Sequence, residues 1–155
     1  KEKKKEKLVR ILSSVSLMKG AEDCIRSLKE KNIKTAIVSA GLDILAERVG
    51  KSLGVDYVYS NGVKVDKDGF LTEEGIIGVK LKSKDEVVRG LAEKLGMEYN
   101  NIVAVGNSCF DIPMFEASGL GIAFNPDDEC VKKYADVVID EKDIMKVCSI
   151  VTNMI

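Results

Sequence analysis

The stretch Asn101-Ile-Val-Ala-Val-Gly-Asn-Ser-Cys-Phe-Asp-Ile-Pro-Met-Phe115 decides how the rest of the chain is interpreted. Its apolar residues 102–105 are followed by Gly106 and a polar turn, a pattern typical of a strand buried on both faces of a parallel sheet. Asp111 is placed to cap the next helix, and Pro113 stands in its first turn, where a missing N–H is tolerated. Open α/β sheets bind ligands beyond the carboxyl ends of their strands, so 106–111 is the candidate site.

The composition limits the classes of protein and the chemistry. A length of 155 residues with 45% apolar residues suits one domain with a hydrophobic core. The net charge of −1 gives no reason to expect a nucleic-acid partner, and without histidine any proton transfer or metal binding must use Asp, Glu, Lys or Cys. No run approaches the roughly 18 apolar residues of a membrane span. We therefore expect a soluble, cytoplasmic protein without a membrane partner.

The cysteines carry little pattern. They are Cys24, Cys109, Cys130 and Cys148. Their wide spacing contains no Cys-x-x-Cys pair of the kind that indicates a zinc site or a redox couple. We expect reduced, mostly buried thiols.

A second unit of the same design lies upstream. Residues 34–39 form an apolar strand pattern that ends in the small-residue turn Ser39-Ala40-Gly41. An amphipathic helix follows and stops at Gly54. Because the carboxyl ends of parallel strands meet at one edge of a sheet, we expect this turn and residues 106–111 to face the same edge.

The remaining elements fit an α/β arrangement. Residues 62–79 predict a β-hairpin around Lys67-Asp68-Gly69. Ser83 and Glu86 have capping-box spacing, which puts Lys84 in the first turn of the next helix. The other predicted elements are helices at 20–31, 127–134 and from about 141, and strands at 57–60, 121–124 and 137–139. The lysine-rich start, 1–7, runs without a cap into a helical pattern, so we expect the chain to begin partway through a helix.

Three separated features together suggest phosphate chemistry. The hydroxyl of Ser39, the ammonium of Lys84 and the acidic loop 107–111 could hold a phosphoryl group, which needs a cation and oriented donors. Taken alone, each feature is more often a turn serine, a surface lysine or a helix cap. The prediction depends on their order along the chain.

At these positions the sequence resembles the haloacid dehalogenase superfamily, and within it the phosphoserine phosphatase-like branch. The motifs that carry the resemblance are Gly20-Ala-Glu, Val38-Ser-Ala-Gly-Leu-Asp43, Lys82-Ser-Lys84-Asp-Glu, Val103-Ala-Val-Gly-Asn-Ser-Cys-Phe-Asp-Ile-Pro-Met-Phe115, Gly121-Ile-Ala-Phe-Asn125 and Ala135-Asp136. The resemblance implies a Rossmannoid three-layer α/β/α core with a mainly parallel sheet and a projecting β-hairpin. Residues 1–155 would form this core domain, with 1–18 as the remnant of a cap-domain helix.

The resemblance also implies a reaction and roles for individual residues. Such enzymes transfer a phosphoryl group from a small phosphorylated metabolite to an aspartate with the help of Mg²⁺, and then hydrolyse the aspartyl-phosphate. Ser39 and the backbone at Ala40 and Gly41 would bind phosphate. Lys84 would bind phosphate and stabilise the phosphoaspartate, which makes it catalytic together with Asp111. The metal would lie at Asn107 and Asp111.

The sequence departs from the family pattern at three positions and in one motif. Asn107 stands where a metal-binding aspartate is usual, Phe110 where an asparagine is usual, and Ala40 where a glycine is common. The nucleophile motif Asp-x-Asp-x-Thr does not precede Ser39. Asp66-Lys-Asp68 resembles that motif superficially, but polar residues come before it, and Lys-Asp-Gly is a common hairpin turn.

Two functional hypotheses follow. The chain is either part of a phosphatase whose nucleophile comes from an upstream segment or another chain, and is silent alone, or a degenerate module that binds phosphate or a protein partner. An EF-hand is excluded by ligand spacing, and a nucleotide-binding Gly-x-Gly-x-x-Gly or Walker loop is not present. In the family the first strand lies between the two strand-loop units described above. We expect the corresponding slot to be filled by another chain, closed by re-pairing of the neighbouring strands, or left open.

Overall fold

The computed structural model describes residues 4–154, so residues 1–3 of the predicted N-terminal helix and Ile155 lie outside the described part. The helices are α1 (Lys5–Ser13), α2 (Ala21–Glu30), α3 (Asp43–Leu53), α4 (Lys84–Leu95), α5 (Ile112–Glu116), α6 (Glu129–Tyr134) and α7 (Ile144–Asn153). The strands are β1 (Ala36–Leu42), β2 (Tyr57–Val65), β3 (Leu71–Ile76), β4 (Val103–Gly106), β5 (Leu120–Phe124) and β6 (Val137–Ile139). Helices thus alternate with strands, as the sequence predicts for an α/β fold.

The strands of the described residues form two three-stranded sheets, in the orders β1-β2-β3 and β4-β5-β6. β1 and β2 are parallel, and β4, β5 and β6 are parallel throughout. β3 pairs antiparallel with β2 to form the predicted hairpin. Its turn contains Gly69 at φ +81°, a backbone conformation that favours glycine. The α/β class, the parallel pairing and the hairpin projection are confirmed.

The strands β1 and β4 are each an edge strand, and they form the inner edges of the two sheets because Val38 of β1 packs against the core cluster that contains Ala104 of β4. Among the described residues no hydrogen-bonded ladder joins them, so re-pairing has not closed the boundary between the sheets. The prediction that β4 is buried on both faces is wrong, because Val105 is 37% exposed. β4 is hydrogen-bonded to β5 on one side only, and an edge strand has neighbouring side chains to cover it on one side.

The hydrophobic core bridges the two sheets. One cluster contains Val88 of α4, Ala104 of β4, Phe115 of α5 and Val131 of α6, and Val38 of β1 packs against it. This places the end of β1 near α4 and the second sheet. Other clusters cover β5 and β6 with α7, and join α2 to α7.

Two predicted helix starts differ from the structure. Ser83 is the residue before α4, but its side chain caps nothing, so the predicted capping box is wrong. The φ and ψ of Ser83, −134° and 43°, are not the extended values that aim an N-cap hydroxyl at the first turn, and Glu86 contacts Lys80 at 3.2 Å instead. α7 begins later than residue 141 because Asp143 accepts a hydrogen bond from the backbone N–H of Met145.

A membrane crossing was not expected. Within residues 4–154, each helix is too short or too polar to span a bilayer.

Candidate functional site

A buried ion pair lies at the centre of the candidate site. Lys84 Nζ is 2.6 Å from Asp111 Oδ1, and the two side chains are 11% and 6% exposed. Lys84 is the first residue of α4, and Asp111 ends a 3₁₀ turn that follows β4. A buried charge pair of this kind is tolerated only when further hydrogen bonds satisfy its members.

The second carboxylate oxygen of Asp111 supplies those hydrogen bonds. Oδ2 accepts from the backbone N–H of Asn107 at 2.9 Å and from that of Ser108 at 3.1 Å. The carboxylate therefore faces backward onto the turn, and the prediction that Asp111 caps α5 is wrong. The hydrogen bonds from these N–H groups hold the carboxylate toward Lys84. A carboxylate that capped α5 would not be held in this direction.

Gly106 leaves the space that the Asp111 side chain occupies. A Cβ at position 106 would lie 2.6 Å from both Cγ and Oδ2 of Asp111, well inside van der Waals contact. A glycine at the end of β4 is therefore required by close packing and not by backbone conformation, because its φ is not in the left-handed region. Any side chain here would displace the carboxylate from Lys84.

The segment Ser39-Ala40-Gly41 is part of β1 rather than a turn beyond it, because the strand continues to Leu42. Val38 pairs with Tyr59 and Leu42 with Asn61, so three residues of β1 stand against one residue of β2. Such a bulge bends the strand and redirects its groups. Ser39 Oγ accepts from the backbone N–H of Gly41 at 3.1 Å, which holds the hydroxyl at the bulge.

Asn61 holds this bulge in place, and the sequence interpretation missed it. Its Nδ2 donates to the carbonyl of Ala40 at 2.8 Å. Its Oδ1 accepts from the backbone N–H groups of Gly78 and Val79 at 2.9 and 2.8 Å. The side chain thus joins the bulge to the segment that leads into α4. The available signal was Asn61 followed by Gly62, directly after the strand predicted at 57–60.

The predicted site residues fall into two groups. Lys84, Asp111 and the backbone of Asn107 form one hydrogen-bonded unit. Ser39 follows Val38, which packs against the core cluster that contains Val88, one helical turn from Lys84. The bulge and the ion pair therefore lie on elements that pack together.

The side chain of Asn107 has a partner that the sequence did not predict. Its Nδ2 donates to Asp127 Oδ2, and the backbone N–H of Asp127 donates to the carbonyl of Asn107 at 2.8 Å. A hard cation needs oxygen ligands. Asn107 Oδ1 and the Asp127 carboxylate are oxygen donors that fit such a cation, whereas both oxygens of Asp111 are engaged by Lys84 and by backbone N–H groups.

Phe110 lies on the outer side of the same turn. Phe110 is 40% exposed, and its backbone N–H donates to Ser108 Oγ at 3.3 Å. An aromatic ring cannot donate the hydrogen bonds that an asparagine at this position would offer. The residue therefore adds apolar surface to the turn.

The expectation that all the cysteines are reduced is wrong for one pair. Cys109 and Cys130 form a disulfide, with their Cα atoms 5.7 Å apart, a usual separation for a disulfide. Folding brings together residues 21 positions apart, which the spacing did not reveal. Cys24 and Cys148 are free and buried as predicted. Burial first, and then the neighbouring Cys148, raises the pKa of the Cys24 thiol to about 12.

Comparison with known proteins identifies relatives of this chain. Residues 1–116 match the model of the haloacid dehalogenase-like hydrolase family. The phosphoserine phosphatase of Archaeoglobus fulgidus is 37% identical over 147 residues, which are 94% of this chain. That of Methanocaldococcus jannaschii is 35% identical over 144 residues, or 92% of this chain. A solved structure described as a phospho-aspartyl intermediate analogue of phosphoserine phosphatase superposes with a TM-score of 0.90 at 32% identity, covering 97% of this chain and 72% of the other.

The fold and these matches define the class: the chain belongs to the haloacid dehalogenase-like hydrolase family. Within that family it falls in the phosphoserine phosphatase-like branch. The chain spans 42% of the length of the Archaeoglobus relative and 67% of that of the Methanocaldococcus relative.

Proposed function

We propose that this chain forms part of a Mg²⁺-dependent hydrolase of small phosphorylated metabolites, phosphoserine or a close analogue, that works through a phosphoaspartate. The observation that carries the proposal is the buried Lys84–Asp111 pair on the turn that also positions Asn107. The phosphoserine phosphatases that the chain resembles support the substrate class. A cytoplasmic location remains a prediction.

Ser39, Ala40 and Gly41 bind the phosphate in this proposal. The bulge in β1 frees its backbone groups from regular pairing with β2, and Asn61 restrains the Ala40 carbonyl. An anion bound here would accept from the Ser39 hydroxyl and from backbone N–H groups of the bulge. A glycine at 41 fits, since a Cβ there would meet Ser39 Oγ at 3.1 Å.

Lys84 supplies the positive charge and Asp111 orients it. An ammonium group has three donors, of which Asp111 Oδ1 uses one. Two donors are left for phosphoryl oxygens. Because Asp111 is itself held by the N–H groups of Asn107 and Ser108, the ammonium is oriented before substrate binds, which is the arrangement that stabilises developing charge best.

Asn107 and Asp127 would hold the metal through the amide and carboxylate oxygens, and Asp111 would position Asn107 by accepting from its backbone N–H. When bound, Mg²⁺ would neutralise charge on the phosphoryl oxygens. Asn107 offers a neutral ligand, so the Asp127 carboxylate provides the negative charge that a hard cation prefers. The hydrogen bond from Asn107 Nδ2 to Asp127 Oδ2 holds these two side chains together.

The nucleophile is proposed to come from outside these residues. The Asp-x-Asp pattern at 66–68 belongs to the hairpin turn, where Asp66 Oδ1 accepts from the N–H groups of Asp68 and Phe70 at 2.9 Å. We propose that a strand from an upstream segment or another chain pairs with the inner edges of β1 and β4 and carries the aspartate. Helix α1 would then be the remnant of a cap-domain helix.

The test is to supply that strand. The chain is assayed for Mg²⁺-dependent release of phosphate from phosphoserine, alone and with an Asp-x-Asp-x-Thr strand fused upstream. We expect no turnover from the chain alone and turnover from the fusion. Lys84→Met in the fusion should lower the rate by about 100-fold or more, the scale on which one oriented charge-stabilising donor acts. Turnover by the chain alone would contradict the proposed origin of the nucleophile.

A second candidate is a degenerate module that binds phosphate or a protein partner without catalysis. The observations that favour it are the amide at Asn107, hydrogen-bonded to Asp127, and the exposed ring of Phe110. The fusion separates the two candidates. Turnover by the fusion without any substitution would exclude the degenerate module. If turnover appears only when Asn107→Asp is added to the fusion, or does not appear even then, the enzyme is excluded.

A further inference from the structure

Three potential metal ligands converge beside the turn that holds Asp111. Sulfur atoms of Cys109 and Cys130 and a carboxylate oxygen of Asp128 all lie within 4.8 Å of one another. All three residues are half-buried, so solvent can reach the group. These separations are short enough for all three atoms to bind one tetrahedrally coordinated ion, whose metal–ligand bonds are about 2.0–2.3 Å long.

The backbone fixes this cluster on two elements. Cys109 belongs to the 3₁₀ turn after β4, Cys130 belongs to α6, and their Cα atoms are 5.7 Å apart. The backbone N–H of Cys109 donates to Asp128 Oδ2 at 3.2 Å. This hydrogen bond holds the carboxylate toward the sulfurs, so the three ligands do not depend on one flexible side chain.

The two redox states of the cysteines have different chemistry. In the disulfide each sulfur is bonded to the other and neither is a thiolate ligand. A dithiol reductant transfers two electrons and two protons, cleaves the S–S bond and becomes a disulfide itself. The product is two thiols beside a carboxylate. Two thiolates with one carboxylate suit a soft or borderline divalent cation such as Zn²⁺ and leave a fourth position for water.

We propose that reduced Cys109 and Cys130 bind one thiophilic divalent cation, such as Zn²⁺, together with Asp128, and that the disulfide closes this site. Binding releases the two thiol protons to solvent and forms two metal–sulfur bonds and one metal–oxygen bond. This site would differ in its cation from the oxygen donors of Asn107 and Asp127. Mg²⁺ prefers oxygen ligands and does not favour thiolates. The inference does not depend on the proposed hydrolase.

Cobalt binding to the reduced full chain tests the proposal. Co²⁺ is the probe, because its bonds to thiolates give a charge-transfer absorption band, and Zn²⁺ is added to displace it. We expect one Co²⁺ per chain in the reduced protein, displacement by Zn²⁺, and no displacement by Mg²⁺ in excess. The oxidised protein should show no band. Absence of the band from the reduced, folded protein would overturn the proposal.

Variants assign the ligands. Cys130→Ser should abolish the band, while Cys24 and Cys148 remain in every variant as an internal control for other thiols. Asp128→Asn should weaken Co²⁺ binding at least about tenfold. Even the loss of a residue that only hydrogen-bonds to a metal ligand lowers metal affinity by about that factor. Glu129→Gln is the matched carboxylate control, since its side chain is 83% exposed beside Lys132, and it should bind as the parent does. A full band in folded Cys130→Ser, or equal weakening by both carboxylate changes, would contradict the assignment.

Discussion

Lys84 Nζ lies 2.6 Å from Asp111 Oδ1, with both side chains almost completely removed from solvent. The lysine begins the helix that follows the hairpin of the first sheet, and the aspartate follows the first strand of the second sheet. One charge pair therefore connects the two halves of the fold at the inner edges of their sheets. Its position ties the stability of the chain to the geometry of the proposed site.

Removing the ammonium should destabilise the protein strongly. Lys84→Met leaves the Asp111 charge buried without its cation, and we expect the free energy of unfolding to fall by about 3–5 kcal/mol. Urea denaturation at neutral pH measures this. The control is Glu74→Gln, which breaks the exposed Lys64–Glu74 pair and should cost less than about 1 kcal/mol. Similar losses in the two variants would show that the buried pair contributes little.

A methyl group at position 106 should disturb Asp111. In Gly106→Ala the new Cβ would lie within 2.6 Å of the carboxylate, and overpacking of this kind costs about 1–3 kcal/mol. Gly90→Ala is the matched control, because a Cβ at this exposed position in α4 would have no atom within 4 Å apart from its chain neighbours and the backbone of its own helix. That variant should gain up to about 1 kcal/mol from helix propensity. Thermal melts of both variants check the opposite signs.

Asn61 should act on the bulge of β1 rather than on the substrate. Asn61→Ala leaves the carbonyl of Ala40 and the N–H groups of Gly78 and Val79 without their partner, and we expect a loss of about 1–3 kcal/mol in stability. Asn61→Asp keeps an acceptor for the two N–H groups and should lose less. If both variants unfold at the parent's denaturant concentration, the bulge does not depend on this side chain.

Asp56 should make the stability of β1 and β2 depend on pH. Burial alone would raise the pKa of this carboxyl, but hydrogen bonds from the backbone and hydroxyl of Thr35, and the charge of Lys34, outweigh it and lower the pKa below its ordinary value of 3.8. A lowered pKa in the folded state adds stability above the pKa of the unfolded chain. That stability is lost as the pH falls through the pKa of the folded state.

The variant Asp56→Asn therefore separates from the parent only when the carboxyl is ionised. We expect it to be less stable by about 1–2 kcal/mol at pH 7, with the gap narrowing below a pH of about 4. Denaturation curves at several pH values measure this. Glu73→Gln, at an exposed position of β3, is the control and should show no such narrowing. A gap that stays constant from pH 7 to pH 3 would contradict the assigned role.

Much of the fold follows from local pattern. The alternation of helix and strand, the hairpin turn at Gly69 and the helix end at Gly54, with φ +68°, all follow from periodicity and turn chemistry. These signals are local and survive tertiary context. The failures concern side chains with a choice of partner, as when Ser83 has the spacing of a cap but not its backbone angles.

In the candidate site, too, some features follow from sequence pattern and others depend on tertiary contacts. The order of Ser39, Lys84 and Asp111 along the chain predicted that they meet at one edge of the fold, and the structure pairs Lys84 with Asp111. The partners of Asn107 and of Cys109 are residues 127 and 130, about 20 positions away, in the loop before α6 and in α6 itself. No spacing rule links such positions, so the Asp127 contact and the disulfide needed the three-dimensional structure.

The exposed Val105 has a comparable origin. Four apolar residues in a row indicate a strand covered on both faces, and that pattern is correct for β5, where 121–124 are buried. β4 has the same pattern but an unpaired inner edge among the described residues. Sequence periodicity therefore indicates which side chains of a strand can be buried. Whether they are buried depends on the strands that pair with it.

The central claim is that Ser39 and Lys84 hold one phosphate with Asp111 behind the lysine. A crystal structure of the chain grown in saturating inorganic phosphate tests it most directly. We predict a phosphate whose oxygens lie about 3 Å from both Ser39 Oγ and Lys84 Nζ, with the Lys84–Asp111 pair intact. A structure in which those two atoms lie more than about 6 Å from any common point, or in which phosphate binds elsewhere and leaves both unoccupied, would contradict it.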